Sequence, residues 1–215
     1  MKKGFPGVIM STMVLLAFLV YGCCFPLYHA VYLHLTQRSP NLTKKGRINS
    51  CTASWLKGID EGKEYLLAVH QIRNMIMSIT FLASTSILLL GFLLTYGLIE
   101  VNGEEGIVIY SAIDYPGWLT TFTLTYSFLN LLLALRHLNN LTVLVRADKD
   151  KLKQIDGQPA LTYLEKLFVK GSQRYMVGRR GFLYAIVVLF WYVNIWVFIG
   201  LIILLTFTLS YYHDF

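Results

Sequence analysis

Charge is what this chain has least of. Only 14% of its 215 residues are Asp, Glu, Lys or Arg, against about a quarter in an ordinary soluble domain, and that excludes a water-soluble globule. No Asp or Glu falls inside its long apolar runs. Proton-coupled transport, which uses an intramembrane carboxylate, is left with His137 alone to stand in that place. Cysteine is scarce too: Cys23, Cys24 and Cys51 form no C-x-x-C pair, and the adjacent two lie in an apolar run where thiols behave as small hydrophobes, so no disulfide framework is expected. There is no G-x-S-x-G and no glycine-rich phosphate loop, hence no catalytic residues and no enzyme are expected. No basic motif interleaved with aromatics is present, so nucleic acid is not an expected partner.

What the chain does have is apolar length. Hydrophobic residues make up 55% of it, and four runs reach the roughly 20 residues that a bilayer span needs: about 8–35, 72–98, 118–145 and 182–211. The expected fold is all-α, a multi-pass membrane bundle of four transmembrane helices forming one integral domain over 1–215. The stretch LVYGCCFPLYHA over 19–30 offers an alternative, because Val20-Tyr21-Gly22-Cys23 loosely fits a lipoprotein cleavage box behind Lys2 and Lys3. The apolar run continues past Cys23 through Phe25, Leu27, Tyr28 and Val31, however, and a signal peptide should end in small polar residues. The stretch therefore reads as a bent span, kinked at Gly22 to Pro26, where proline removes a backbone donor and clashes with the carbonyl one turn back.

Orientation follows from 19 Lys and Arg against 12 Asp and Glu, a net charge of +7. Arg38, Lys44, Lys45, Arg47, Lys57 and Lys63 lie between the first two runs, and Arg146 to Arg180 supply the basic residues between the last two. The middle loop carries Glu100, Glu104, Glu105 and Asp114 instead. The positive-inside bias then puts the basic loops in the cytoplasm and both termini outside a cell membrane, with Lys2 and Lys3 opposing. Anionic lipid headgroups are the partners expected at these loops. The acceptor patterns at Asn41 and Asn140 carry no weight, since this topology puts them inside or in the membrane.

The stretch LLAVHQIRNMIMSITFLASTSILL over 66–89 resembles a membrane family known as domain of unknown function 599. Tyr28-His29, Arg38-Ser39-Pro40, Thr43-Lys44-Lys45-Gly46 and Trp55 match before it. Arg136 with Asn139 or Asn140 matches in the third run, and Gly178, Arg180, Tyr184 and Trp191 match at the start of the last. His70 departs from the family's usual glutamine, which keeps a hydrogen-bonding side chain but adds a titratable group. The resemblance implies a multi-pass membrane protein and no particular activity.

In the second run a helical projection gathers Arg73, Asn74, Ser78, Thr80, Ser84 and Thr85 on one side and Ile72, Ile76, Ile79, Ala83, Ile87 and Leu90 on the other. Small hydroxylated residues suit a close helix–helix seam, and the same face would also suit a water-filled path. The third run places Thr123, Ser127, Asn130, Arg136, His137 and Asn140 along its length. Arg136 near its inner end would snorkel to the headgroups, lock with Arg73 onto Asn74, Asn139 or Asn140, or attract an anion. His29, His34, His70 and His137 invite a metal or haem, but no pair has the i, i+3 or i, i+4 spacing of helical ligands, so no cofactor and no metal are expected.

Residues 161–180 space Leu161, Leu164, Leu167 and Phe168 among lysines, which predicts a short cytoplasmic amphipathic helix lying on the membrane surface and ending at Gly171. Before it, Asp148 to Lys151 and Asp156 to Pro159 read as a surface turn. Two functions fit. One is an oligomeric structural or accessory subunit, assembling as a homo-oligomer or in a larger membrane complex through the polar seam of spans two and three. The other is a small oligomeric channel or transporter, favouring anions at its basic mouths.

Overall fold

The computed structural model describes residues 5–60, 65–98, 100–102, 106–108, 115–145 and 147–214. Lys2, Lys3, Lys63, Glu104, Glu105, Asp114 and Arg146, all used above for orientation, lie outside the described residues. Helices α1 (Phe5–Gly22) and α2 (Tyr28–Arg38) are joined by a π-helical turn over Cys23–Leu27. Then come α3 (Lys44–Asp60), α4 (Tyr65–Leu98), two short antiparallel strands β1 (Glu100–Asn102) and β2 (Gly106–Val108), and α5 (Tyr115–Leu144). Helices α6 (Lys149–Asp156), α7 (Ala160–Leu189) and α8 (Ile195–Thr208) follow, and a second π-helical turn covers Leu209–Asp214. Among the described residues, four segments are helical, long and apolar enough to cross a membrane: Thr12–Arg38, Leu66–Thr95, Tyr115–Leu144 and Ile195–Tyr212.

The first three correspond to the expected spans. Where the bend was expected, at Gly22 to Pro26, the backbone forms a π turn that holds Pro26 inside it. A proline cannot donate to the carbonyl four residues back, and a π turn absorbs that missing bond by wider pairing: the Tyr28 N–H reaches the Cys23 carbonyl.

The fourth span departs from expectation. The run 182–211 is not one helix, because α7 ends at Leu189, a 3₁₀ turn covers Phe190–Tyr192, and the chain restarts as α8. Asn194 makes the break. Its backbone is extended, and its side-chain oxygen accepts from the Trp196 N–H at 2.8 Å, capping α8. The result is a hairpin: Val188 and Phe198 share one buried cluster, Tyr184 lies 2.7 Å from Thr206, and Arg180 meets Asp214.

Helix α7 is the spine of the bundle, and α5 runs antiparallel along it. A Cβ on Gly171 would lie 3.0 Å from Leu138, one on Gly178 2.7 Å from Leu131, and one on Gly181 3.1 Å from Ser127. Three glycines at spacings of seven and three residues thus line one face and let the two backbones approach. Between membrane helices, where burial of apolar surface gives little drive, such packing is what holds helices together. This corrects the expectation for 161–180. Gly171 does not end a helix, because it is a close-packing position in the middle of α7. Leu164 and Leu167 are buried against Leu138 and Leu141 of α5 and Leu56 of α3, in protein and not on a lipid surface.

Helix α3 is an element that the sequence reading missed. Thr43 caps it: the Gly46 N–H donates to Thr43 Oγ1 at 3.0 Å, and a Cβ at Gly46 would lie 2.5 Å from Pro40 Cα. The Pro40, Thr43 and Gly46 pattern is therefore a helix start folded tightly on its preceding turn. Trp55 of α3 then packs on Phe168 of α7 with ring centres 5.2 Å apart. The expected surface turn is helical in its first part, since Asp148 caps α6 through the Asp150 N–H, while Gly157, at φ +67°, ends α6 and 157–159 form the turn.

Candidate functional site

The largest fully buried side chain among the described residues is Arg180, 1% exposed on α7. Its Nη2 donates to Oδ1 of Asp214, itself fully buried, in an ion pair across the α7–α8 hairpin. Tyr28 of α2 donates to the second oxygen of the same carboxylate. The face of the Tyr32 ring lies 4.7 Å from the guanidinium carbon, a cation–π contact. A buried charge is tolerated only when paired and hydrogen-bonded, and this one is held by a carboxylate, an aromatic face and a second donor to its partner. Nε and Nη1 have no hydrogen-bond partner among the described residues.

Around this pair sit the residues of the π turn. His29, buried, donates from Nδ1 to the Phe25 carbonyl at 2.7 Å, which fixes the tautomer and leaves Nε2 as an acceptor. Nε2 has no partner among the described residues, and His29 lines a pocket of about 430 Å³ with Tyr21, Phe25, Phe122 and Tyr126. Tyr184 donates to the Cys24 carbonyl at 3.0 Å, so α7 grips the turn where proline loosened it.

The polar residues expected to line a path on α5 are instead bonded within the protein. Tyr21 donates to Thr123 at 2.6 Å, Ser127 donates to the Gly178 carbonyl at 2.6 Å, and Arg174 donates to Asn130 at 2.9 Å. These bonds tie α5 to α1 and α7. Arg136, Asn139 and Asn140 are exposed, and the arginine that reaches an asparagine of α5 is Arg174. His137 lies against Gly171 and lines a pocket of about 410 Å³ with Gln37, Lys170 and Arg174.

The polar side of α4 faces the other way. Arg73, Asn74, Ser78, Thr80 and Ser84 are exposed and Thr85 is half-buried, while Ile72, Ile79, Ala83 and Ser86 are buried in the bundle. Ile76 and Leu90 are half-buried as part of that inner side, but Ile87 is turned outward. Ser78, Thr80 and Thr85 donate to carbonyls one turn back, so their hydroxyls are satisfied without a neighbour. The expected common seam of spans two and three therefore does not exist within one chain: α4 meets α5 through Ile72, Ile79 and Ala83 against Leu131, Ala134 and Leu138. His70 is exposed as well.

Asp214 is the residue that sequence reading missed. It falls just past the last apolar run, where a carboxylate reads as solvated, and only the fold-back at Asn194 returns it to Arg180. The available signal was an arginine with no carboxylate nearby in sequence, followed by an asparagine breaking an apolar run.

Fold and site together define a helical multi-pass membrane bundle with a buried arginine–aspartate pair at the root of its C-terminal hairpin. The chain belongs to the family described as protein of unknown function, DUF599, whose model matches residues 14–104 and 109–215. No curated protein and no solved structure matches it.

Proposed function

We propose that this protein is a non-enzymatic structural or accessory membrane subunit that assembles with further copies of itself through the outer face of α4. One observation carries the reading: Arg73, Asn74, Ser78, Thr80 and Ser84 are exposed, among the apolar Met77, Phe81 and Leu88, on a membrane helix whose opposite face is packed in the bundle. Small residues let helices approach closely, and an amide such as Asn74 in or near lipid gains from a partner across a contact. A closed symmetric oligomer is the default form for such a chain.

The orientation that goes with this reading differs from both termini outside. Lys44 donates to the Tyr212 carbonyl at 2.8 Å, so the C-terminal hairpin ends beside the first basic loop. Phe18 packs against Tyr115 and Trp191 at the far end of the bundle. With the basic loops in the cytoplasm of a cell membrane, residues 212–214 lie on the cytoplasmic side and the start of α1 outside.

Native mass spectrometry of protein released gently from its membrane tests the assembly. A single closed homo-oligomer that dissociates in the Thr80→Leu/Ser84→Leu variant is the expected result. A monomer in the parent, or an oligomer untouched by both substitutions, would sink the reading. The channel or transporter alternative draws on the basic opening at His137, Lys170 and Arg174, but Thr123, Ser127 and Asn130 beyond it are bonded to protein, so a path would have to run between copies.

A further inference from the structure

Beside Arg180, α3 and α7, with Tyr32 of α2 and Met75 of α4, line a pocket of about 250 Å³ whose wall includes Lys44, Lys45, Ser172, Tyr175, Arg179 and Arg180. Four cations share this wall, and no carboxylate is among its described lining residues. Among the described residues, Asp214 is ion-paired with Arg180. Lys44 is bonded to a backbone carbonyl and Lys45 to the Ser172 hydroxyl, both neutral acceptors, and Arg179 lies over the Tyr175 ring at 5.8 Å. Three positive charges are thus gathered without an anion among the described residues.

The second observation is Arg180 itself. It is 99% buried by its 1% exposure, forms part of the pocket wall, and keeps Nε and Nη1 without a hydrogen-bond partner among the described residues. Leaving guanidinium donors unmet in a buried site is costly, and proteins avoid it unless a ligand or water supplies the acceptors. Lys45 carries a similar penalty, since burial pulls its ammonium down to about 8 from 10.5. An anion with several acceptor oxygens would relieve both.

We propose that this pocket binds a phosphate group, presented either by an anionic phospholipid headgroup or by free phosphate, with Lys45, Arg179 and the unmet donors of Arg180 as its contacts and Ser172 beside them. Arginine and lysine donors converging on one small polar pocket are the chemistry of phosphate recognition. The position suits it: the pocket lies where α3, the first element after the first span, meets α7, at the basic end of the bundle. The proposal does not depend on the assembly of α4, which presents another face.

The test uses the full chain in a neutral maltoside detergent at pH 7, with binding followed by titration calorimetry. The probes are dihexanoyl phosphatidic acid, dihexanoyl phosphatidylcholine and inorganic phosphate. Saturable binding of phosphatidic acid is expected, weakened at least about tenfold by Lys45→Gln and by Arg179→Gln and unchanged by Lys57→Gln, which lies off the pocket. Phosphate competing at similar concentration would identify free phosphate as a ligand; binding by phosphatidic acid without phosphate would identify a headgroup site. Absence of saturable binding by both, equal binding of phosphatidylcholine, or parent-like affinity in both pocket variants would overturn the proposal. Arg179 is half-buried and lies over the Tyr175 ring, so Arg179→Gln gives a readout even where Lys45→Gln alters folding.

Discussion

Replacing Asp214 by leucine would remove the one carboxylate that balances Arg180. The guanidinium is 1% exposed and its partner fully buried, so no water takes over when the carboxylate is lost. Breaking a buried pair from one side costs about 3–5 kcal/mol, because an uncompensated charge stays behind. For a chain of this size, about 2–4 °C per kcal/mol makes that a fall of about 6–20 °C in the unfolding midpoint. Tyr28→Phe removes only the hydroxyl that donates to the other carboxylate oxygen, and about 1.5–3 kcal/mol is expected for a bond to a charged group. Replacing both members of the pair, Arg180→Leu with Asp214→Leu, removes the charge together with its partner and should recover most of the loss. The assay is reversible unfolding in mild detergent of the parent, both single variants and the double variant. A large coupling is expected, the double variant being more stable than either single one. If Asp214→Leu melted within about 1 kcal/mol of the parent, the pair would not be buried, and an uninterrupted span over 182–211 with Asp214 in water would be the better description.

Two further outcomes follow from the packing and the charge. Gly178→Ala should destabilise by about 1–3 kcal/mol, since its Cβ would stand 2.7 Å from Leu131 Cγ and 3.1 Å from the Leu131 backbone, whereas Gly200→Ala, with open space around it, should be neutral or gain up to about 1 kcal/mol; equal effects in detergent melts would refute the close α5–α7 contact. Lys45, faced by Lys44, Arg179 and Arg180, has its folded ammonium near 8 against 10.5 when unfolded. The unfolded chain holds the extra proton between those values, so the parent should gain stability relative to Lys45→Met as pH rises from 8 to 10.5, with no further change below 8. Melts of both proteins at matched pH read the difference, and parallel curves would contradict it.

Much of the bundle was legible because lipid solvates no unpaired backbone: an apolar run of 20 residues without Asp or Glu has few alternatives to a spanning helix. The first three spans and the basic loops follow from local pattern alone. What the pattern left open was which side of each helix meets protein. On α4 the polar and apolar sides were separated correctly apart from Ile87, yet the projection could not show that the polar side faces outward. On α5 a run of polar residues looked like a pathway, and neighbours 51 and 102 residues away turned Ser127 and Thr123 into interhelical ties. Gly171 reads locally as a helix stop, since glycine is a poor helix former, but the approach of α5 outweighs that propensity.

By itself the sequence determined that the chain is a helical membrane bundle, where its first three spans lie, and which end is basic, because hydropathy and charge act residue by residue. Only the tertiary structure decided that Asn194 folds the last run back on α7, that Asp214 thereby reaches Arg180, and that Lys44, Lys45 and Arg179 gather around the same side chain. Such pairings depend on which distant segments touch, and the free energy of a buried charge is set by those neighbours and by nothing in its own stretch of chain.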